Sequence, residues 1–348
     1  MPAPYSYLTK PGLRLLFVAV LYLLTGSATP AQDRPCATHT GPFMGRDGFH
    51  FCAGDEPVLL YGASLYPFWE HSGIRYRAKG WLREDFKPYI DMILDRAQAA
   101  RLNTLRVTNY LDDSYFWDYN IVWGNVDYLV DQAAARGLWV ILDLSTYRHW
   151  LEKKRVPNAY DPEQWRLFLQ FVGQRYRDAP AIAHYSLLGE IPDSKNTGLN
   201  PEDYVEFYRQ ALEILHDADG GNHLISAGGL AYLDYDSGIP WEAVYSLPHN
   251  DIAAIHIYSD GDRTTTLPRV FTWARNNRVP LLIEEFGFQQ DMGDAQRAAA
   301  FQAMFDLLRA YAASGMLFWN LGPEVAPVSY DVNSETPLVW EVILQNAP

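Results

Sequence analysis

Short apolar runs alternate with amphipathic segments along most of the chain. Eight runs predict β-strands, at 57–64, 103–109, 138–144, 181–190, 223–229, 251–258, 280–287 and 315–322. Most of them are continuously apolar, which is typical of strands buried on both faces of a parallel sheet. Helical patterns lie between most of these strands. Two of them, 161–180 and 200–221, open with Asp-Pro or Asn-Pro and end at Pro or Gly.

This alternation predicts an α/β fold, a (β/α)8 TIM barrel, because such barrels repeat a strand and a helix eight times over about 250 residues. A doubly wound open sheet is the alternative. That fold usually places a glycine-rich phosphate turn after its first strand, and GASLYPFWE at 62–70 is not such a turn. Residues 43–57, before the first strand, predict a β-hairpin that plugs the bottom of the barrel.

The N-terminus has the pattern of a targeting segment. Lys10 and Arg14 precede the apolar run LLFVAVLYLL at 15–24, and small residues follow it. We predict a secretory signal peptide at 1–31 and a single barrel domain at 32–348 in a secreted or periplasmic protein. An uncleaved anchor is the alternative reading, against which the apolar run is short for a transmembrane helix.

Charge and cysteine content narrow the possible partners. Removing Lys10 and Arg14 with the signal peptide takes the formal net charge from −14 to −16. This charge argues against nucleic acid and membrane partners, and we expect a monomer without cofactor or metal. Cys36 and Cys52 are the only cysteines, and export predicts that they form a disulfide, with two free buried thiols as the alternative.

Polar and aromatic residues lie at the predicted carboxyl ends of the strands, where the active site of a TIM barrel is built. The candidates are Trp69, Arg106, Asn109, His149, Glu190, His256, Tyr258, Glu285, Trp319 and Asn320. The fourth and seventh strands face each other across the barrel, so Glu190 and Glu285 can meet over a ligand. Two carboxylates about 5–5.5 Å apart can hydrolyse a glycosidic bond, one as nucleophile and one as acid and base.

Glu284 and Glu285 are neighbours in one predicted strand. Because side chains alternate along a strand, they are expected to point to opposite faces. We therefore assign Glu285 to the barrel interior as the nucleophile. Glu284 is expected to face the helix layer, paired with a basic group.

The ordered set of motifs resembles glycoside hydrolase clan A, closest to family 5, the cellulases and mannanases. The motifs are Glu190, HIY at 256–258, EFG at 285–287 and FWN at 318–320. The resemblance covers nearly all of the chain after the targeting segment. It implies that Glu190 is the acid/base and Glu285 the retaining nucleophile. It also implies that Arg106 and Tyr258 contact the nucleophile, that His256 shapes the same subsite and that Trp319 stacks under the sugar.

The sequence departs from the family pattern at Gly189. The family usually has Asn immediately before the acid/base, where it binds the sugar 2-hydroxyl. Asn109, His149 or Asn320 could replace that contact. Alternatively, the 2-substituent of the substrate is axial, as in mannose, or larger.

Together these features predict a secreted, retaining hydrolase of β-linked poly- or oligosaccharides of the mannan or glucan type. A transglycosylase that remodels envelope or exopolysaccharide would use the same glutamates. A carbohydrate-binding barrel that has lost catalysis is a third reading. A metal hydrolase would need several His and Asp residues on successive strand ends, and the sequence has no such pattern. Sugar identity, linkage and endo or exo action are left open.

Overall fold

The computed structural model describes residues 34–65, 81, 83–108, 120–144, 162–191, 197–231, 238–333 and 335–348. Residues Pro35–Pro348 form one compact unit. The candidate site residues Trp69, Asn109 and His149 lie outside the described residues, as does the predicted signal peptide, which stays a prediction. Among the helices of the described ranges, none combines the length and apolar character needed to cross a membrane.

The described chain contains one parallel sheet of nine strands. Its strands are β4 Leu60–Leu65, β5 Thr104–Thr108, β6 Trp139–Asp143, β7 Ile182–Ser186, β8 Leu224–Ser226, β9 Gly229–Leu230, β10 Ala253–Ile257, β11 Leu281–Phe286 and β12 Gly315–Phe318. Their order in the sheet is β8-β7-β6-β5-β4-β12-β11-β10-β9. Strands β8 and β9 stand at the two edges of the sheet yet follow each other in the chain. They share the fifth barrel position, so the sheet closes on itself and the predicted (β/α)8 barrel is confirmed.

The fifth barrel position is interrupted between β8 and β9. Gly228 has a φ of 125°, a backbone conformation that favours glycine. The side-chain oxygen of Asn250 accepts a hydrogen bond from the Ala227 backbone at 2.8 Å, which satisfies a donor at the break. The two edge strands, β8 and β9, are therefore joined by a local kink in the backbone at Gly228.

Helices surround the sheet and follow the predicted order. They are α1 Lys87–Ala99, α2 Asn120–Ala135, α3 Pro162–Tyr176, α4 Pro201–Asp219, α5 Trp241–Tyr245, α6 Leu267–Asn277, α7 Asp294–Ala310 and α8 Pro337–Asn346. Helix α4 shows the predicted boundary signals, because Asn200 caps the Asp203 backbone and Gly220 ends the helix with a φ of 75°. Helix α8 was not predicted, since no strand follows it to complete the alternating pattern.

A small antiparallel sheet precedes the barrel. It consists of β1 Gly45–Asp47, β2 His50–Ala53 and β3 Glu56–Val58. The predicted single hairpin is therefore a three-stranded sheet, and the predicted strand at 57–64 is divided between β3 and β4. Met44 and Phe51 pack in one apolar cluster with barrel residues such as Leu60 and Leu282. These contacts support the interpretation that this sheet covers the lower end of the barrel.

The predicted disulfide between Cys36 and Cys52 is present, with the two Cα atoms 5.5 Å apart. Both cysteines are fully buried. The bond ties the segment before β1 to the middle strand of the small sheet.

We expect the double variant Cys36→Ser/Cys52→Ser to unfold more easily than the wild type. The bond closes a loop of 16 residues, and cross-links of this size stabilise by about 3 kcal/mol through the unfolded chain. Urea unfolding of both proteins, each with and without a reductant, measures the difference. Reductant should destabilise the wild type only. Equal unfolding midpoints for the two oxidised proteins would contradict the expectation.

Candidate active site

Glu190 and Glu285 come together at the carboxyl ends of facing strands. Glu190 follows β7 and forms an isolated parallel bridge with Gly229, while Glu285 lies near the end of β11. One carboxylate oxygen of each lies within 4.8 Å of the other. This short separation is compatible with the retaining class of glycosidases, in which the two carboxyl groups lie about 5–5.5 Å apart.

The carboxylate of Glu285 is held by two donors. Arg106 Nη1 donates to one oxygen, and the Tyr258 hydroxyl donates to the other at 2.8 Å. The Glu285 side chain is only 8% exposed. Gly287, two residues later, has no room for a side chain, because a Cβ there would lie 2.4 Å from the Trp319 carbonyl oxygen. The motif EFG thus places a fixed carboxylate next to a tightly packed turn.

Arg106 on β5 is the cation at the centre of the site. Its Nη2 donates to Asp143 at 2.7 Å, its Nη1 also donates to the Ser64 hydroxyl at 3.2 Å, and its Nε lies 3.4 Å from Glu284. Burial disfavours the guanidinium charge, but the three carboxylates outweigh it and raise the pKa of Arg106 well above its ordinary value.

Asp143 and Ser64 were missed from the sequence. Asp143 ends the apolar run of the third strand, and Ser64 lies near the end of β4. A single polar residue at a strand end carries little signal until the partner strand is known. The register pairs Ser64 with Arg106 directly, which the sequence alone did not reveal.

His256 on β10 lies between three carboxylates. Its Nδ1 is 3.3 Å from Glu190 and 3.4 Å from Glu285, and its Nε2 is 3.5 Å from Glu284. Burial opposes the charged ring, but the carboxylates, Glu285 foremost, outweigh it and raise the pKa of His256 to about 10. The imidazole is therefore protonated across the neutral pH range.

The prediction that Glu284 faces the helix layer is wrong. Glu284 is fully buried and contacts Arg106 and His256, the same two groups that contact Glu285. Opposite β10, Ile283 pairs with Ile255 and Glu285 pairs with His256, so Glu284 is an extra residue in a β-bulge. A bulge breaks the alternation of side chains on which the prediction rested. The expected pairing of Glu284 with a basic group is confirmed.

Glu190, His256 and Glu285 are close enough to hold a metal ion by distance alone. The Arg106 guanidinium already contacts Glu285, and the His256 ring lies between the carboxylates of Glu190 and Glu285. A metal ion here would have to compete with these contacts.

Trp319 and Asn320 follow β12 and are joined by a cis peptide bond. Trp319 is partly exposed, while Asn320 is 1% exposed and its amide donates to Asp331 at 3.0 Å. The structure thus places Asn320 as a support for the backbone beside Trp319. The predicted contact of Asn320 with substrate stays a prediction.

Gly189 precedes Glu190 with a φ of 34°. Its carbonyl accepts a hydrogen bond from the Gly229 backbone at 2.8 Å. This backbone conformation favours glycine, and the position supplies no side-chain amide. Of the predicted replacements, Asn109 and His149 lie outside the described residues.

Comparison with known proteins now identifies the family. Residues 63–325 match the sequence profile described as cellulase, glycosyl hydrolase family 5. The chain belongs to this family. It is therefore a retaining glycoside hydrolase, and the resemblance inferred from its motifs is confirmed.

Individual relatives agree with the family assignment. The chain is 25% identical to mannan endo-1,4-beta-mannosidase A of Podospora anserina, covering 68% of this chain and 74% of that protein. It is 22% identical to mannan endo-1,4-beta-mannosidase 1 of Arabidopsis thaliana, covering 83% and 84%. The endo-1,4-beta-mannanase structure from Rhizomucor miehei superposes with a TM-score of 0.69 at 15% identity, covering 88% of this chain and 98% of that one. This last similarity shows a shared barrel fold.

We expect Arg106→Lys to lower kcat/KM by roughly 10²–10³-fold, the loss typical of removing one preorganised donor. A lysine offers one ammonium and cannot contact Ser64, Asp143, Glu284 and Glu285 together. Initial rates on an aryl β-glycoside measure the effect. Arg136→Lys is the matched control, because Arg136 forms its ion pairs with Asp91 and Asp95 away from the site. An Arg106→Lys enzyme with wild-type kcat/KM would overturn the central role of this cation.

Proposed function

We propose that the chain hydrolyses β-1,4-linked mannan by double displacement, with Glu285 as nucleophile and Glu190 as acid and base. The observation that carries the proposal is the pair of carboxylates within 4.8 Å, of which one is held by Arg106 and Tyr258. This spacing suits direct attack by one carboxylate on the sugar while the other reaches the leaving oxygen.

The environments of the two glutamates support their different roles. Glu285 is 8% exposed, and Arg106 and the Tyr258 hydroxyl donate to its two oxygens, which fixes the carboxylate in place for attack as nucleophile. The Glu190 side chain is 25% exposed and lies beside His256. Water can therefore reach Glu190, as the second half of the reaction requires.

In the first step, Glu190 donates its proton to the glycosidic oxygen while a Glu285 oxygen attacks the anomeric carbon. The bond from that carbon to the leaving oxygen breaks, and a glycosyl ester forms on Glu285. In the second step, the Glu190 carboxylate takes a proton from water, which attacks the same carbon and releases Glu285 as a carboxylate. Two inversions give net retention.

Similarity to other proteins supports mannan as the substrate. Two of the relatives described above are named as mannan endo-1,4-beta-mannosidases, and the partly exposed Trp319 offers a ring on which a sugar can stack. A β-1,4-glucan is the second candidate, because the matched family is described as cellulase.

We also propose that the protein is exported. The predicted signal peptide and the Cys36–Cys52 disulfide both support an oxidising compartment outside the cytosol. A polysaccharide substrate outside the cell is compatible with that location.

A product profile tests the function. The chain without residues 1–31 is incubated with mannan, glucomannan, cellulose derivatives, mixed-linkage glucan and xylan, and soluble products are separated by size. We expect oligosaccharides from mannan, no products from Glu285→Gln, and wild-type products from Glu341→Gln, a matched change on an exposed residue of α8. Products from glucans alone would favour the second candidate. If a manno-oligosaccharide is added as a second substrate, products longer than it would favour transglycosylation. Binding of a polysaccharide without any products would favour a binding barrel.

A second experiment, rescue of alanine variants by azide, separates the roles of the two glutamates. On an activated aryl β-mannoside, Glu285→Ala with azide should give the inverted α-glycosyl azide, because azide attacks from the space of the missing nucleophile. Glu190→Ala should give the retained β-glycosyl azide from the covalent intermediate. The opposite pair of products would reverse the assigned roles.

A further inference from the structure

Glu284 has no part in the double displacement, yet it lies in the same buried cluster as the nucleophile. The bulge between β10 and β11 turns both neighbouring carboxylates toward Arg106 and His256. Bulges often re-aim side chains next to active sites. A third carboxylate in this place needs a reason, because a buried charge is costly unless it is paired.

Strand β9, in the fifth barrel position, leaves space for the side chains of Glu284 and His256. A Cβ at Gly229 would lie 2.3 Å from His256 Nε2 and 3.0 Å from Glu284 Oε2. Any side chain there would displace the pair. Gly229 also bridges to Glu190, so the acid/base and this pair share one backbone position.

Glu284 contacts nitrogen atoms of His256 and Arg106 that do not contact Glu285. On His256, Nδ1 faces Glu190 and Glu285 while Nε2 faces Glu284. On Arg106, Nη1 faces Glu285 while Nε faces Glu284. Each cation therefore lies between Glu284 and a catalytic carboxylate.

We propose that Glu284 is a positioning residue that keeps His256 doubly protonated and Arg106 oriented while Glu285 is esterified. The inference rests on the proposed double displacement. It assigns a mechanistic role to a residue that touches neither the sugar nor the reacting atoms.

The charge balance of the reaction gives the physical reason. When a Glu285 oxygen bonds to the anomeric carbon, Glu285 loses its negative charge, and Glu190 becomes a carboxylate because it has given its proton to the leaving group. Arg106 still has Asp143 at 2.7 Å. His256 has Glu284 on Nε2 and the new Glu190 carboxylate 3.3 Å from Nδ1.

Without the charge of Glu284, the Glu190 carboxylate would be the principal anion left to His256. The imidazolium proton would then be drawn to Glu190, which must be free to accept a proton from water. The electrostatics agree with this role. Burial opposes the Glu284 charge, but Arg106 and His256 outweigh it and lower the pKa of Glu284 to about 2. Glu284 thus stays an anion throughout the working pH range.

The inference predicts that Glu284→Gln slows the second half of the reaction selectively. On a dinitrophenyl β-mannobioside, we expect kcat to fall on the order of 10- to 100-fold, less than removal of the acid/base itself. KM should fall with it, so that kcat/KM changes little, and a burst of dinitrophenolate equal to the enzyme concentration should appear. These are the signs of an accumulating glycosyl-enzyme.

The pH dependence gives a second readout. Besides each other, the titratable or charged groups around His256 and Glu284 are Arg106, His184, Glu190, Tyr245 and Glu285. The pKa of His256 is raised, so its charged form is present below about 10 and is lost as pH rises. Removing the Glu284 charge lowers that pKa, so the alkaline limb of kcat should move to lower pH.

Asp219→Asn is the matched control. Asp219 is a fully buried carboxylate that pairs with His223 Nδ1 at 2.7 Å, at the end of α4. Its loss removes a buried acid–histidine pair of the same kind outside the catalytic cluster. The burst and the alkaline limb should match the wild type. An unshifted limb and no burst in Glu284→Gln would overturn the inference.

Nitrogen NMR of labelled histidine gives a test that does not depend on activity or on folding of the Gln variant. In the wild type, both His256 ring nitrogens should stay protonated at pH 8. In Glu284→Asp, which keeps the negative charge, the ring should remain doubly protonated at least in part at the same pH. A wild-type ring that titrates near pH 6.5 would overturn the inference even if hydrolysis is confirmed. Failure of every polysaccharide to react would instead overturn the proposed function.

Discussion

The buried guanidinium of Arg106 is the interaction on which the site depends. It is 2% exposed and joins Ser64, Asp143, Glu284 and Glu285, which come from three other strands of the barrel. A buried carboxylate is tolerated only when it is paired, and removing one partner of such a pair is strongly destabilising. Glu285, Glu284 and Asp143 therefore share one cation, so a change in the charge of any one of them changes the electrostatic field at the other two.

The closed sheet makes this sharing possible. Parallel strands bring their carboxyl ends to one rim, so residues of β4, β6 and β11 can contact the single guanidinium that β5 carries. Local irregularities then adjust the aim of individual side chains. The bulge at Glu284 and the break between β8 and β9 both lie beside His256, where three carboxylates converge.

The eight strand positions could be predicted from the sequence because each is a short apolar run between helical patterns. Glu190 and Glu285 could be recognised because each ends such a run on facing strands. The direction of Glu284 could not, because a bulge depends on how β10 and β11 pair. Asp143 could not be recognised as a partner of Arg106 before the register of β5 and β6 was known. The burial of Asn320 depends on its contact with Asp331, which lies eleven residues later in an irregular segment.

Trapping the covalent intermediate tests the central claim most directly, namely that two adjacent glutamates in one strand have separate roles. The wild-type enzyme is treated with a 2-deoxy-2-fluoro-β-mannosyl fluoride and digested, and the labelled peptide from β11 is fragmented by mass spectrometry to locate the sugar. The account predicts one sugar per chain, attached to Glu285, with Glu284 unmodified. A label on Glu284 or on Glu190 would contradict it.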